Sequence, residues 1–82
     1  MQISTIYLSQ SNFDLALDYC QRAIREDNLM EDAYRLAMQI YAAMGNRAAM
    51  ALQYQRCVEV LDREINALPS PKTVELYELL IK

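Results

Sequence analysis

The chain has 82 residues, of which 54% are apolar, with one glycine and two prolines; this composition excludes a disordered chain and a turn-rich β fold. The formal charge of −3 comes from scattered residues, so neither a nucleic-acid backbone nor an anionic membrane surface is indicated as a partner. No apolar stretch has the length of a membrane span and the first residues lack the layout of a signal peptide, so we expect a cytoplasmic, all-α domain.

The first third of the sequence predicts two helices. Ile3, Ile6 and Tyr7 indicate a short first helix, and from residue 13 apolar residues recur at the spacing of an amphipathic helix. That second stripe consists of Phe13, Ala16, Leu17, Cys20, Ala23 and Ile24. On the opposite face, Asp18 and Arg22 form an i,i+4 pair typical of an exposed helix surface.

A third helix is predicted to start near the stretch Asn28 to Glu31, where an N-cap residue and a glutamate three positions later resemble a capping box. It runs to about Met44. Its apolar stripe comprises Ala33, Leu36, Ala37, Ile40, Tyr41 and Met44 and is widened by Tyr34 and Met38. A helix this apolar is expected to be covered on two sides.

Gly45, the only glycine, predicts a left-handed backbone that ends the third helix in a tight corner, with Asn46 capping the fourth helix. The fourth helix continues through Met50, Tyr54, Cys57, Val58, Leu61, Ile65 and as far as Leu68. Ser70 as N-cap and Pro71 at the first helical position open the last helix. Its packing face is Val74, Tyr77, Leu80 and Ile81, which makes about five helices in all.

The sequence repeats itself at an offset of 34 residues, which pairs SQSN with AMGN and CQRAI with YQRCV. This period is that of the tetratricopeptide repeat, one helix–turn–helix per unit. We therefore expect a right-handed array of antiparallel helix pairs, with two repeats in residues 1–68, the first truncated, and a capping helix in residues 69–82. The structural repeat positions are Ala16, Cys20, Ala23, Gly45, Met50, Tyr54 and Cys57. Ala23, with Ala48 and Ala51, is expected at a close helix crossing.

Cys20 and Cys57 both fall on apolar helix faces, which favours buried free thiols over a disulfide.

Several short motifs occur together in this chain. Glu31, Ala33 and Arg35 lie early in the third helix, followed by the small-residue stretch ending in Gly45 and the string QYQRCVEVL. A proline–serine–proline turn at residues 69–71 and Leu-Tyr at residues 76–77 come last. With these motifs, nearly the whole chain resembles the C-terminal part of the bacterial transcriptional activator domain, a tetratricopeptide-like module found beside a winged-helix DNA-binding domain. The family usually has Leu-Gly ahead of this turn, where this chain has residues 65–68, Ile-Asn-Ala-Leu.

A catalytic site is not indicated. The chain has no histidine, no glycine-rich loop and no Cys-x-x-Cys pair, and the carboxylate pairs Asp14/Asp18 and Glu75/Glu78 are typical of solvated helix faces. We expect neither an enzyme, nor a cofactor, nor a metal site.

The possible interaction surface comprises Ile3, Ile6, Tyr7, Tyr34 and Arg35. Six tyrosines are compatible with a recognition surface, but Tyr7, Tyr41 and Tyr54 occupy packing positions, whereas Tyr34 and Tyr19 suit either role. Arg35, Gln39 and Arg47 either complete a groove for an acidic or C-terminal peptide group or form a solvated face.

The resemblance implies a protein-interaction and regulatory module of a bacterial transcriptional activator that mediates domain docking or oligomerisation without direct DNA contact. A free-standing tetratricopeptide adaptor binding a peptide in its groove is the alternative. Because the chain starts in the middle of a repeat, we expect it to be a fragment. A homodimer would then cover Ile3, Ile6 and Tyr7, together with the adjacent stripe Phe13, Leu17 and Cys20.

Overall fold

Four α-helices make up the part of the chain that the computed structural model describes, residues 11–82. They are α1 (Ser11–Glu26), α2 (Glu31–Ala43), α3 (Arg47–Ile65) and α4 (Pro71–Ile81), and no strand occurs among these residues. The all-helical prediction is confirmed. The predicted first helix, with Ile3, Ile6 and Tyr7, lies outside the described residues.

Helix α2 is the centre of the domain, because it packs against α1, α3 and α4. Five of its thirteen residues are buried, namely Ala33, Tyr34, Ala37, Met38 and Ile40. The wide apolar stripe in the sequence therefore marks a helix that is covered on more than one side, as predicted.

Two apolar clusters hold α1 and α3 against α2. In the first, Cys20 of α1 meets Ala37 and Ile40 of α2, with Phe13, Ala16, Leu17, Leu36 and Tyr41 packed around them. In the second, Tyr34 of α2 meets Cys57 and Leu61 of α3, and Ile24 and Leu29 close its edge. Each cluster joins two neighbouring helices, so α2 is the element that both clusters share.

The corner between α2 and α3 is built as predicted. Gly45 has a φ of +78°, and the N–H of Asn46 donates to the carbonyl of Tyr41 at 2.9 Å while the N–H of Gly45 donates to Ala42 at 3.0 Å. These are the two hydrogen bonds of a Schellman motif. The Asn46 side chain then accepts from the N–H of Ala49 at 3.0 Å, so one residue ends α2 and caps α3.

The start of α2 differs from the prediction. Met30, not Asn28, is the N-cap residue, and it makes no side-chain cap. Asp27 controls the turn instead, since its carboxylate accepts from the N–H of Leu29 at 3.1 Å. The capping box is therefore wrong: Glu31 is the first residue of the helix, and its carboxylate bonds to residues of another helix, as described below.

Helix α3 ends at Ile65, three residues before the predicted limit, because Asn66 adopts a left-handed conformation with a φ of 53°. Its N–H donates to Asp62 at 3.0 Å. Asparagine tolerates this region better than most other residues with a Cβ, so Asn66 can end the helix in this conformation. Ser70 is the N-cap position of α4 and Pro71 opens that helix, as predicted, although the Ser70 side chain does not cap it.

The corner geometry predicts how substitutions at Gly45 behave. No atom lies within 4 Å of a Cβ built there, so the penalty comes from the backbone alone. Gly45→Ala should lower the free energy of unfolding by about 1 kcal/mol and Gly45→Val by more. Gly45→Asn, which tolerates the left-handed region, is the matched control and should cost less than either in urea denaturation. Equal stability of Gly45→Val and the parent would contradict the corner assignment.

Candidate functional site

A cluster of polar side chains joins the start of α2 to the start of α4. We call it the Glu31 cluster; it consists of Glu31, Arg35, Ser70 and Thr73. One carboxylate oxygen, Oε1 of Glu31, accepts three hydrogen bonds, from the Thr73 hydroxyl at 2.6 Å, the Ser70 N–H at 3.0 Å and the Ser70 hydroxyl at 3.1 Å. All three donors lie about forty residues further along the chain.

Arg35 completes the Glu31 cluster from the next turn of α2. Its Nη1 donates to the Thr73 hydroxyl oxygen at 2.8 Å and lies 3.9 Å from Oε1 of Glu31. Its Nη2 pairs with the carboxylate of Asp32. The Arg35 side chain is 17% exposed, so this guanidinium is committed to the protein itself and is not a free interaction residue.

Thr73 is the residue that sequence reasoning missed. It is fully buried and is the only buried residue of α4. From the sequence alone, a threonine among the polar residues of an amphipathic helix is expected on the solvated face. Its hydroxyl accepts from Arg35 and donates to Glu31, which satisfies the group without water. The signal in the sequence is indirect: Glu31 and Arg35 are four residues apart and a proline–serine–proline turn precedes Thr73, but nothing local connects the two features.

The electrostatics of the Glu31 cluster favour an ionised carboxylate. Burial alone would raise the pKa of Glu31, but the hydrogen bonds from Thr73 and Ser70, together with the charge of Arg35, outweigh it and hold the pKa below its ordinary value of 4.5. The charged form is therefore the one that the folded state stabilises.

A groove of about 480 Å³ runs beside the Glu31 cluster between α2 and α4. We call it the α2–α4 groove. Its lining is Asp32, Arg35, Leu36, Gln39, Lys72, Glu75, Leu76 and Leu79. Three leucines supply the apolar part, and Leu79 remains 68% exposed. Arg35 and Gln39, two of the three residues expected to form a groove, line it together, whereas Arg47 lies elsewhere and donates to the carbonyl of Lys82 at 2.6 Å.

Two adjoining hollows of about 280 and 210 Å³ lie beside α1, and both are lined by Tyr19, Ala23 and Met30. The smaller one also contacts Asp32 and Leu36, which line the α2–α4 groove as well. The hollows and the groove therefore share one side of α2 and form a surface that crosses three helices.

The predicted repeat positions fall into three environments. Cys20, Met50 and Cys57 are fully buried. Ala16, Ala23 and Tyr54 are half-buried, and Gly45 is exposed at its corner. Tyr54 stacks on Tyr77 of α4 with ring centroids 4.0 Å apart. Of the alanines expected at a close crossing, Ala23 borders the hollows, Ala51 is half-buried and Ala48 is exposed, so the expectation is wrong for Ala48.

The proposed interaction residues also need correction. Tyr34 is 2% exposed and belongs to the core, whereas Tyr19 is 63% exposed. Ile3, Ile6 and Tyr7 lie outside the described residues. The stripe expected to lack cover, Phe13, Leu17 and Cys20, packs against Ala37 and Ile40 of α2. Any self-association through α1 must therefore use its opposite face.

Both cysteines are free and buried, as predicted. Burial, reinforced by the carboxylate of Glu31, raises the pKa of the Cys57 thiol to about 11, and burial also raises the pKa of Cys20. Both thiols are therefore protonated at neutral pH and behave as small apolar core groups.

Between residues 11 and 82, no helix is both long and apolar enough to cross a bilayer. Over the same residues, no group of three or more histidine, cysteine or carboxylate side chains is placed to hold a metal ion.

The fold and the site define an all-α domain in which a polar cluster holds two helices together beside a groove. The sequence model of the bacterial transcriptional activator domain matches residues 5–80 of the chain. The chain belongs to this family, which is a regulatory domain and not an enzyme family. No curated protein and no solved structure matched the chain.

The Glu31 cluster predicts strong coupling between α2 and α4. Glu31→Ala and Thr73→Val should each lower the free energy of unfolding by about 1.5–3 kcal/mol, because each removes a charge-assisted hydrogen bond from a largely buried group. The double variant should lose at least about 1 kcal/mol less than the sum. Glu59→Ala, an exposed glutamate of α3, is the control. Additive effects in chemical denaturation would show that the two side chains do not interact.

The same cluster predicts a pH dependence. Unfolding returns Glu31 to its ordinary pKa of 4.5, above the folded value, so the unfolded chain binds more protons between the two values and stability rises with pH there. This contribution is complete above the ordinary value and is lost as pH falls through the folded one. The stability of Glu31→Gln should therefore fall less steeply than that of the parent between about pH 5 and pH 3.

The matched control is Glu59→Gln, which should follow the slope of the parent in urea denaturation at each pH. If Glu31→Gln also keeps the parental slope, the Glu31 carboxylate does not contribute to acid sensitivity.

Proposed function

We propose that this chain is a protein-docking module of a bacterial transcriptional activator, and that the α2–α4 groove receives a segment of a neighbouring domain or of a partner protein. The family supplies the association with transcriptional activators. The observation that carries the docking role is the groove itself, since three leucines lie between charged rims and one of them, Leu79, is two-thirds exposed. An exposed apolar side chain inside a concave, polar-rimmed surface is typical of a protein-binding site.

The stiffness of the groove supports this role. Its two walls, α2 and α4, are joined at one end by the three hydrogen bonds to Glu31. At the back of α4, Tyr77 stacks on Tyr54 of α3. A groove whose walls are fixed before binding loses less conformational freedom when it takes up a segment.

We further propose a tetratricopeptide-like arrangement. On this assignment α2 and α3 form one complete repeat, α1 is the second helix of the preceding repeat and α4 is the first helix of the next. The packing of α2 against α4, in addition to its neighbours α1 and α3, supports it, because stacked repeats bring their first helices together. The α2–α4 groove would then lie on the surface formed by successive first helices.

The module acts on protein and not on DNA in this proposal, and it works in the cytoplasm. The net charge of −3 supports this, as does the use of Arg35 inside the Glu31 cluster. DNA binding depends largely on cationic side chains that are free to neutralise phosphates.

A free-standing adaptor that binds a peptide in the same groove is the second candidate, since the groove is open to a separate peptide as well as to a tethered one. The gene sequence upstream separates the two. An encoded winged-helix segment in the same reading frame supports the activator module, and its absence from the complete reading frame supports the adaptor.

The docking role predicts that Leu79→Asp lowers transcriptional activation by the full-length activator at least about tenfold. A carboxylate among the leucines that line the groove would oppose burial of an apolar segment there. Leu52→Asp is the matched control: Leu52 is an exposed leucine of α3, 49% accessible, that does not line the groove. The measurement is a reporter-gene assay at equal protein levels.

A photo-crosslinking amino acid at position 79 should also capture another domain or protein, whereas one at position 52 should not. Equal activation by the two variants, together with equal crosslinking, would overturn the proposed docking role.

A further inference from the structure

The two walls of the α2–α4 groove carry matching rows of side chains. Each residue of α2 that lines the groove has a counterpart on α4, and the pairs, each separated by forty positions, are Asp32 with Lys72, Arg35 with Glu75, Leu36 with Leu76 and Gln39 with Leu79. Within each row the positions follow the i, i+3, i+4, i+7 spacing of one helix face. The first two pairs form what we call the charged end of the groove, and the last two form the leucine end.

The two walls run in the same direction. The start of α4 is bonded to the start of α2, because Ser70 and Thr73 donate to the carboxylate of Glu31. At the other end, Arg47 opens α3 just after α2 ends, and it donates to the carbonyl of Lys82 at the end of α4. The paired positions of the two rows therefore lie at similar heights along the groove.

The charged end offers two charges to an occupant. On the α2 wall, Arg35 pairs with Asp32 within its own row. On the α4 wall, Lys72 and Glu75 are both exposed, and neither forms an ion pair with another residue between 11 and 82. These two charges have opposite signs and lie one helical turn apart. An occupant of complementary charge therefore brings one basic and one acidic side chain at the same spacing.

The spacing along the groove decides the form of the occupant. Counted from Asp32 or Lys72, the other lining positions lie about 4.5, 6 and 10.5 Å further along the helix axis. One face of a helical occupant reproduces these steps, because its side chains also recur at three and four residues. Side chains on one face of an extended segment recur at about 6.7 and 13.4 Å, which overshoots the leucine end by about 3 Å. The groove therefore fits a helix better than an extended peptide.

We propose that the segment received by the α2–α4 groove is an amphipathic α-helix with an apolar stripe over the leucine end and a pair of opposite charges over the charged end. In that pair a basic side chain faces Glu75, and an acidic side chain one turn further from the stripe faces Lys72. The stripe covers Leu79, which is 68% exposed in the empty groove. The inference rests on the proposed docking role and adds the form and the chemistry of the segment that docks.

Mapping the segment that reaches position 79 tests its form. A photo-crosslinking amino acid at this position of the full-length activator should react with a segment that has apolar residues at i, i+3 or i+4, and i+7 and no internal proline. Mass spectrometry of the digested product identifies the segment, and position 52 on α3 is the control. A crosslinked segment without this helical stripe overturns the inference and leaves the docking role standing. No crosslink at position 79, or one only to residues 1–10 of the same chain, overturns both.

Charge exchange tests the chemistry of the crosslinked helix. Glu75→Lys should lower activation in the reporter-gene assay about three- to fivefold, because it places like charges together at an exposed contact. Replacing the basic residue of the crosslinked helix by glutamate should restore activation in that variant. Lys72→Glu should be restored in the same way by lysine at the acidic position.

The matched control is Glu78→Lys, since Glu78 is exposed on the same helix and does not line the groove. It should leave activation unchanged, and circular dichroism checks that every variant is folded. If Glu75→Lys behaves as Glu78→Lys does, or if no exchange in the crosslinked helix restores activation, the charge pairing is wrong. Loss of activation in Leu79→Asp would still support the docking role, so the two failures are distinguishable.

Discussion

The carboxylate of Glu31 is the contact through which the last helix is fixed to the rest of the domain. Helix α4 is short, its one fully buried side chain is a threonine, and its apolar side chains are at most half-buried. The carboxylate adds directional contacts to this packing by accepting from Ser70 and Thr73 at the point where the chain enters α4. The Tyr54–Tyr77 stack then sets its rotation against α3. Both proposed properties of the groove, its shape and its stiffness, depend on this attachment.

The two ends of the domain are held by different physics. Helix α1 packs against the C-terminal half of α2 through the apolar cluster around Cys20 and Ile40. Apolar packing of this kind is non-directional and tolerates small shifts. Around α4 the contact is a set of short, directional hydrogen bonds to one oxygen. Glu31, Arg35 and the proline–serine–proline turn, on which the resemblance to the family rests, lie at the directional end. In this chain they hold two helices together, and the leucines of the proposed docking groove lie beside them.

What the sequence predicted correctly was local. Gly45 and Asn46 determine their corner through their own backbone and side chain, and Pro71 opens α4 because its missing N–H is not needed there. The prediction at Asn28 failed because two contacts outside the capping pattern competed with it: Asp27 took the turn, and Glu31 bonded across to α4. The burial of Thr73 could not be predicted for the same reason, since it depends on Glu31 and Arg35, about forty positions away. Tyr34 and Tyr19 occupy similar places on amphipathic helices, and only the position of α3, which covers Tyr34 alone, decides between core and surface.

The corner at Asn46 has a mechanical consequence. Because this residue completes the hydrogen bonding at the end of α2 and also caps α3, the corner contains no free residue, and we expect the two helices to move together. The link from α3 to α4, residues 66–70, leaves five residues between helices. Any widening of the groove would therefore have to come from displacement of α4, which is held by the Glu31 hydrogen bonds and by the Tyr54–Tyr77 stack. In the proposed docking role, a segment too wide for the groove would have to break these contacts, so the width of a segment would limit binding as well as its chemistry.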